Sequence, residues 1–184
     1  FPTNTYHHNS GGDPEAIPDL SYDELMAFYK GHYHPSNAIL LTFGNLPVAQ
    51  HHDAFESRAL NRFEKSKEVI EVHLEQSFEA PKRATHRYAL DDSDAADKTH
   101  LIMGWKLGES SDLDAMLEAQ LLSSVLMENS ASPLMQWLET NDLGTAPSPL
   151  CGLEESMREM VLCCGIEGSE ASRQWLDCGA NATI

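Results

Sequence analysis

The chain has 184 residues, 41% of them hydrophobic, which is enough for one ordinary domain or parts of two with a real core. Its 29 acidic residues against 12 basic ones give a formal charge of −17, a field that repels phosphate backbones and anionic membrane surfaces, so neither nucleic acid nor a membrane is an expected partner. Cationic peptides, metal ions or a basic protein surface suit that field, although an acidic surface that serves solubility alone explains it as well.

The first clear element is a helix. Ser21 and Glu24 form an S-x-x-E capping box, and Leu25, Phe28, Tyr29 and His32 recur at helical spacing, which predicts a helix over 22–33. Pro35 forbids its continuation, and the apolar run AILLTF at 38–43 reads as a short buried strand. Gly44 and Asn45 mark a turn. Pro47 suits the first turn of a second helix, whose Val48, His52, Phe55, Ala59 and Phe63 fall on one stripe.

From 64 to 81 charges dominate and the text reads as an extended connector, with one alternating patch over 69–74. Beyond it, residues 84–90 alternate as a strand, DDSDAAD makes an acidic loop, and THLIMGWKL at 99–107 makes a stronger strand, the two strands being candidates for an antiparallel pair. Ser111 and Asp114 open a third helix in which Leu113, Met116, Leu117, Gln120, Leu121, Ser124 and Val125 track one face. Ser132 and Pro133 start a fourth with Leu134, Trp137 and Leu138, Gly144 is placed to end it, and a last strand runs over 157–164. The fold class is therefore α+β, an antiparallel sheet with packed helices.

Cys151, Cys163, Cys164 and Cys178 lack the paired CxxC spacing of a zinc ribbon, so a reduced compartment is the simpler reading. Cys163 and Cys164 are adjacent in the last strand, so at most one faces the core. No run of eighteen apolar residues predicts a transmembrane helix. FPTNTYHHN has neither a basic n-region nor an apolar h-region, so no export signal is read, and a cytoplasmic location is the expectation. With no initiating Met, the text reads as beginning inside a loop.

Nine histidines invite a metal hypothesis, and each cluster fails a ligand geometry. His7 and His8 are adjacent before a Gly-Gly, an arrangement more typical of exposed loop residues than of ligands. His32 and His34 sit at the end of the first helix, where partial positive charge complements the helix C-terminus. His52 and Glu56 are four apart, whereas a zinc peptidase helix needs two histidines at that spacing with a carboxylate between them; neither HExxH nor HxxEH occurs in this text. GxSxG, GxxxxGK[ST] and a strand-to-helix GxGxxG are absent as well. Asp91, Asp92, Asp94 and Asp97 lack the spacing of a calcium loop and read as a solvated turn. No catalytic or metal-ligating residue is therefore expected, and no bound cofactor. One substrate-facing candidate remains: in Ser10, Gly11, Gly12 and Asp13 the glycines permit close backbone approach and exposed N–H groups, although a plain tight turn explains them too.

Three segments, TYHHNSGGDPEAIPDLSYDEL, FYKGHYHPSNAILLTFGNLP and SPLMQWLETNDLGTAPSPLCG, with VLCCGIEG after them, resemble the insulinase-type, or pitrilysin, superfamily of zinc metallopeptidases (M16), and most closely its presequence-protease branch. The resemblance covers the chain to about residue 170. It implies a large enzyme of four related α+β domains in two halves that close around a chamber and degrade short unstructured peptides, including presequences. Residues 1–67 would be the end of the catalytic-type domain, 68–80 a connector, and 81–184 the start of the second, non-catalytic domain, incomplete here. The inverted HxxEH zinc helix and its third, glutamate ligand would lie upstream, so zinc would belong to the parent enzyme and the remaining domains would be this chain's partners, with peptide substrates held by the whole. Ser10 to Asn45 would then be scaffold beside a catalytic site. Cut from that helix, apolar faces at Leu40, Phe43 and Phe55 would be left uncovered and would favour self-association. After GIEGSE the text departs from the family's long helix: SRQWLDCGANATI has little amphipathic period. A non-catalytic interaction module of the same superfamily, and an acidic metal-buffering protein, are the competing functions.

Overall fold

The computed structural model describes residues 1–90 and 96–170 and divides into two compact units, Phe1–Glu75 and Gln76–Ile184. In the first unit, α1 (Tyr22–His32) starts as expected. The Ser21 hydroxyl accepts from the Glu24 amide at 3.3 Å while the Glu24 carboxylate accepts from the Ser21 amide at 2.9 Å, so two of the orphan donors at the helix start are satisfied reciprocally. α2 (Val48–Arg58) begins with Pro47 as its N-cap rather than as its first helical residue, and it ends five residues before Phe63 because the chain tightens into a 3₁₀ turn over Leu60–Arg62.

The segment expected as a buried strand is not one. Residues 38–43 are extended but pair with nothing among the described residues, and Ile39, Leu41 and Phe43 are 97%, 92% and 104% exposed. Apolar composition alone does not make a strand, which also needs neighbours to take its N–H and C=O groups, and this unit forms no sheet among the described residues. Its one buried side chain is polar: Glu75, which accepts from the Thr3 amide at 2.9 Å and the Thr3 hydroxyl at 2.6 Å. Asn4 adds a bond to the His73 carbonyl at 3.3 Å, so the two ends of the unit are tied together by polar contacts.

Among its described residues the second unit holds a four-stranded antiparallel sheet and two helices, giving the α+β class: β1 (Thr99–Glu109), α3 (Leu113–Met127), α4 (Pro133–Thr140), β2 (Ala146–Pro147), β3 (Gly152–Glu154) and β4 (Glu159–Ser169). β4 is central. β1 lies along one side in a long antiparallel register, Met103 opposite Cys164 and Trp105 opposite Leu162, while β2 and β3 pair with successive parts of the other side. β2 and β3 act as two halves of one interrupted strand, the break falling at residues 148–151, where Pro149 has no amide to give a ladder.

Residues 84–90 do not make the expected strand, and among the described residues β1 pairs with β4 alone. They do lie near the start of β1, where the Tyr88 hydroxyl donates to the Lys98 carbonyl and its ring meets His100 edge-on at 5.6 Å. Of the acidic loop, Asp91, Asp92 and Asp94 lie outside the described residues.

Helix starts shift by small amounts for clear reasons. α3 is capped by Asp112, whose carboxylate accepts from the amides of Asp114 and Ala115, so Asp112 takes the place expected of Ser111. α4 stops before Gly144, because the Asn141 side chain takes the Trp137 and Leu138 carbonyls at 3.1 and 2.7 Å. The core joins Leu101, Leu162, Cys164 and Ile166 of the sheet to Met127 of α3 and Leu138 of α4, with Leu134 and Trp137 packed against it as expected. The adjacent cysteines split as the strand period requires: Cys164 is buried and Cys163 half-buried on the opposite face.

Candidate functional site

Ser10, Gly11, Gly12 and Asp13 form a tight exposed turn. The Asn9 side chain accepts from the Gly11 amide at 2.8 Å and the Asn9 carbonyl from the Gly12 amide at 2.9 Å. Asp13 then accepts from the Glu15 amide at 2.9 Å through its carboxylate, and from Ala16 and Ile17 through its carbonyl. Gly12 sits at φ 86°, a backbone conformation that favours glycine, and a Cβ there would also press on the movable Ile17 Cδ1 at 2.9 Å. Both glycine amides thus bond within the loop, and the surface it offers outward consists of the Ser10 hydroxyl and acidic side chains.

The histidines of the first unit are engaged locally. His7 and His8 meet edge to face at 5.1 Å. His32 stacks on Phe28 at 3.8 Å, with Nδ1 3.0 Å from the Phe28 carbonyl, and His34 Nδ1 accepts from the Ser36 amide at 3.1 Å as the N-cap of a short turn. In the second unit His100 lies 4.0 Å from Glu167. Among the described residues no group of three or more His, Cys, Asp or Glu side chains is placed to hold a metal ion, so the zinc implied by the resemblance does not fit a donor set here.

The described cysteines, Cys151, Cys163 and Cys164, are free thiols. Burial pushes the Cys163 thiol up from its ordinary range, and the nearby Cys151 and Glu154 push it in the same direction, so it stays protonated at neutral pH. Cys151 Sγ accepts from the Gly165 amide at 3.3 Å, an interaction within the sheet edge. Cys178 lies outside the described residues. Sequence reasoning missed two polar links: the Thr3–Glu75 tie, and the Lys106–Glu159 pair at 2.6 Å on the sheet, where Glu159 is buried. The second joins neighbouring strands, where Lys106 stands opposite Val161 and Glu159 opposite Glu109; the first carries no sequence signal, because it depends on a contact 72 residues apart.

Among the described residues no group of side chains is placed to hold a metal ion or to make a catalytic set. Residues 19–155 match the family described as the peptidase M16 inactive domain. The chain belongs to the M16 peptidase family. The match spans both units and includes every element from α1 to β3. Among curated relatives, this M16 chain is 35% identical over 164 residues to the mitochondrial presequence protease of Gibberella zeae, 34% over 171 to that of Danio rerio and 33% over 170 to that of Xenopus tropicalis. These alignments cover 88–91% of the chain but only 16–17% of each relative, so the chain spans about a sixth of their length.

Proposed function

We propose that this chain is a non-catalytic structural segment of a longer zinc-dependent metalloendopeptidase that degrades short unstructured, presequence-like peptides. The observation that carries the reading is the match of residues 19–155 to a family described as inactive, together with relatives named presequence protease. In this reading residues 1–67 complete the catalytic-type domain, 68–80 connect, and 81–184 begin the next domain. The remaining domains are the chain's partners and supply the zinc site. The Ser10–Asp13 turn faces the substrate chamber with its acidic side, and the net charge of −17 favours basic peptides.

No helix among the described residues is long and apolar enough to cross a membrane. For location, the names of the relatives favour mitochondria over the cytoplasm read from the missing export signal. A second reading, a non-catalytic subunit that works beside an active partner, is favoured by the same family description. Reading the coding sequence upstream of Phe1 separates them. An in-frame HxxEH followed by a glutamate supports the first; a start codon with no such motif refutes it and leaves the second.

A further inference from the structure

α3 is turned opposite to an ordinary surface helix. The side it lays on its own sheet and on α4 carries Ala115, Ala119, Ser123 and Met127 at four-residue spacing, small residues except for the last. They let the helix come close: the Ala115 Cβ lies 3.1 Å from where a Cβ on Gly108 would be. Leu126 also packs against the core, but the large side chains of the opposite side point outward. Leu113, Leu117, Leu121 and Val125 repeat at the same spacing and are 77%, 56%, 57% and 65% exposed, with Leu122 beside them. A helix apolar on both sides is one that packs on both sides. Of the residues expected to track one face, Leu113, Leu117, Leu121 and Val125 lie on this outward side, while Met116 and Ser124 are half-buried.

The border of that face has one sign. Asp114, Glu118 and Glu128 lie around it, and between Lys106 and Arg158 the sequence contains nine acidic residues and no lysine, arginine or histidine. A second copy would bring the same acids against each other, which is unfavourable. A transient ligand would leave four large side chains in water whenever it departed. The curated relatives are about six times longer than the stretch they share with this chain, so most of such a polypeptide lies outside it.

From this we infer that the outer face of α3 is permanently covered by an amphipathic helix from elsewhere in the same longer polypeptide, its apolar stripe seated on Leu113, Leu117, Leu121 and Val125 and its edges carrying lysine or arginine against Asp114, Glu118 and Glu128. The inference rests on the reading above that the chain is a segment of a longer protein. It makes α3 a central helix between two layers.

The test uses Leu117→Cys, with Leu121→Cys as an independent second position, in the isolated chain and in the longest polypeptide the reading frame encodes. Maleimide labelling is followed peptide by peptide by mass spectrometry, which separates the new thiol from the native cysteines. The expected result is fast labelling in the isolated chain and labelling slower by at least about 100-fold in the longer polypeptide, as for a site reached only through local opening. Carbodiimide treatment of the unsubstituted longer polypeptide should join Asp114, Glu118 or Glu128 to a lysine of one helix in the same molecule. Equally fast labelling in both proteins overturns the inference. So does protection accompanied by cross-links between two copies, or protection with none of the three acids cross-linked. Loss of peptidase activity in the longer polypeptide, with protection intact, would instead sink the functional reading alone.

Discussion

Gly165 gives the sharpest test of the sheet register. It lies on β4 opposite Ile102 of β1, and an ideal Cβ on it would stand 2.2 Å from the Leu101 carbonyl oxygen, 2.7 Å from Ile102 Cδ1 and 3.0 Å from Ile102 Cα. Two of these obstacles are backbone atoms of the paired strand, so no rotamer change clears them and the two strands must separate locally. On the same sheet, a Cβ on Gly104 would meet Cys163 Sγ at 3.4 Å and Val161 Cγ1 at 3.6 Å, ordinary van der Waals contact.

Gly165→Ala is therefore expected to lose about 1–3 kcal/mol by overpacking. Gly104→Ala is expected to be neutral or to gain about 0.4–1 kcal/mol, because alanine restricts the unfolded chain. With a urea dependence of about 1–3 kcal/mol per molar, the two midpoints should separate by about 0.3 M or more. All three tryptophans, Trp105, Trp137 and Trp175, follow residue 75, so tryptophan fluorescence during urea unfolding follows the second unit without interference from the first. A Gly165→Ala midpoint equal to or above that of Gly104→Ala would refute the register and the close approach of the strands.

Leu138 is almost completely buried where α4 meets the sheet, and Leu138→Ala should cost about 2–5 kcal/mol in the same assay. Ser21→Ala removes the capping box, and amide exchange in the first turn of α1 should rise about five-fold, the size of an ordinary N-cap. Hydrogen bonds from Ser21 hold the Glu24 carboxyl below its usual value of 4.5, so the stability it adds is complete above that pH and is lost as pH falls through the lower folded value; α1 amide protection followed downward from neutral pH should decline only in that acidic range. Alkylation of Cys163 at neutral pH should be slower than that of a free thiol peptide and should speed up only as pH rises beyond the ordinary thiol range, read by mass spectrometry of the modified peptide. Replacing Leu41 and Phe43 by glutamate should shift the isolated chain toward monomer in sedimentation velocity, and an unchanged distribution would show that these exposed side chains do not drive association.

Local signals in the text translated into structure where one neighbourhood decides the outcome. The Ser21–Glu24 box starts α1, the alternation from Thr99 made β1, and Ser132-Pro133 began α4, because caps and short-range periods are satisfied within a few residues. Partnership was harder to read. Residues 38–43 and 84–90 have strand composition, but pairing depends on which other segment arrives, and β1 took β4 from the far end of the unit. α3 shows the same limit in a different form: its apolar residues cover most of the circumference, so periodicity could not say which side meets the sheet, and the small side chains of Ala115 and Ala119 decided it through close approach. The absence of HxxEH was fully legible, and it directed attention away from the scattered histidines before their local bonds to Phe28 and Ser36 were known.

The most direct test of the central claim is a peptidase assay of the purified 184-residue chain beside the longer polypeptide that contains it, with zinc supplied and an unstructured cationic peptide as substrate. The account predicts chelator-sensitive cleavage by the longer polypeptide and none by the chain, because activating water needs a ligand set that the described residues do not provide. Chelator-sensitive turnover by the chain itself would contradict it.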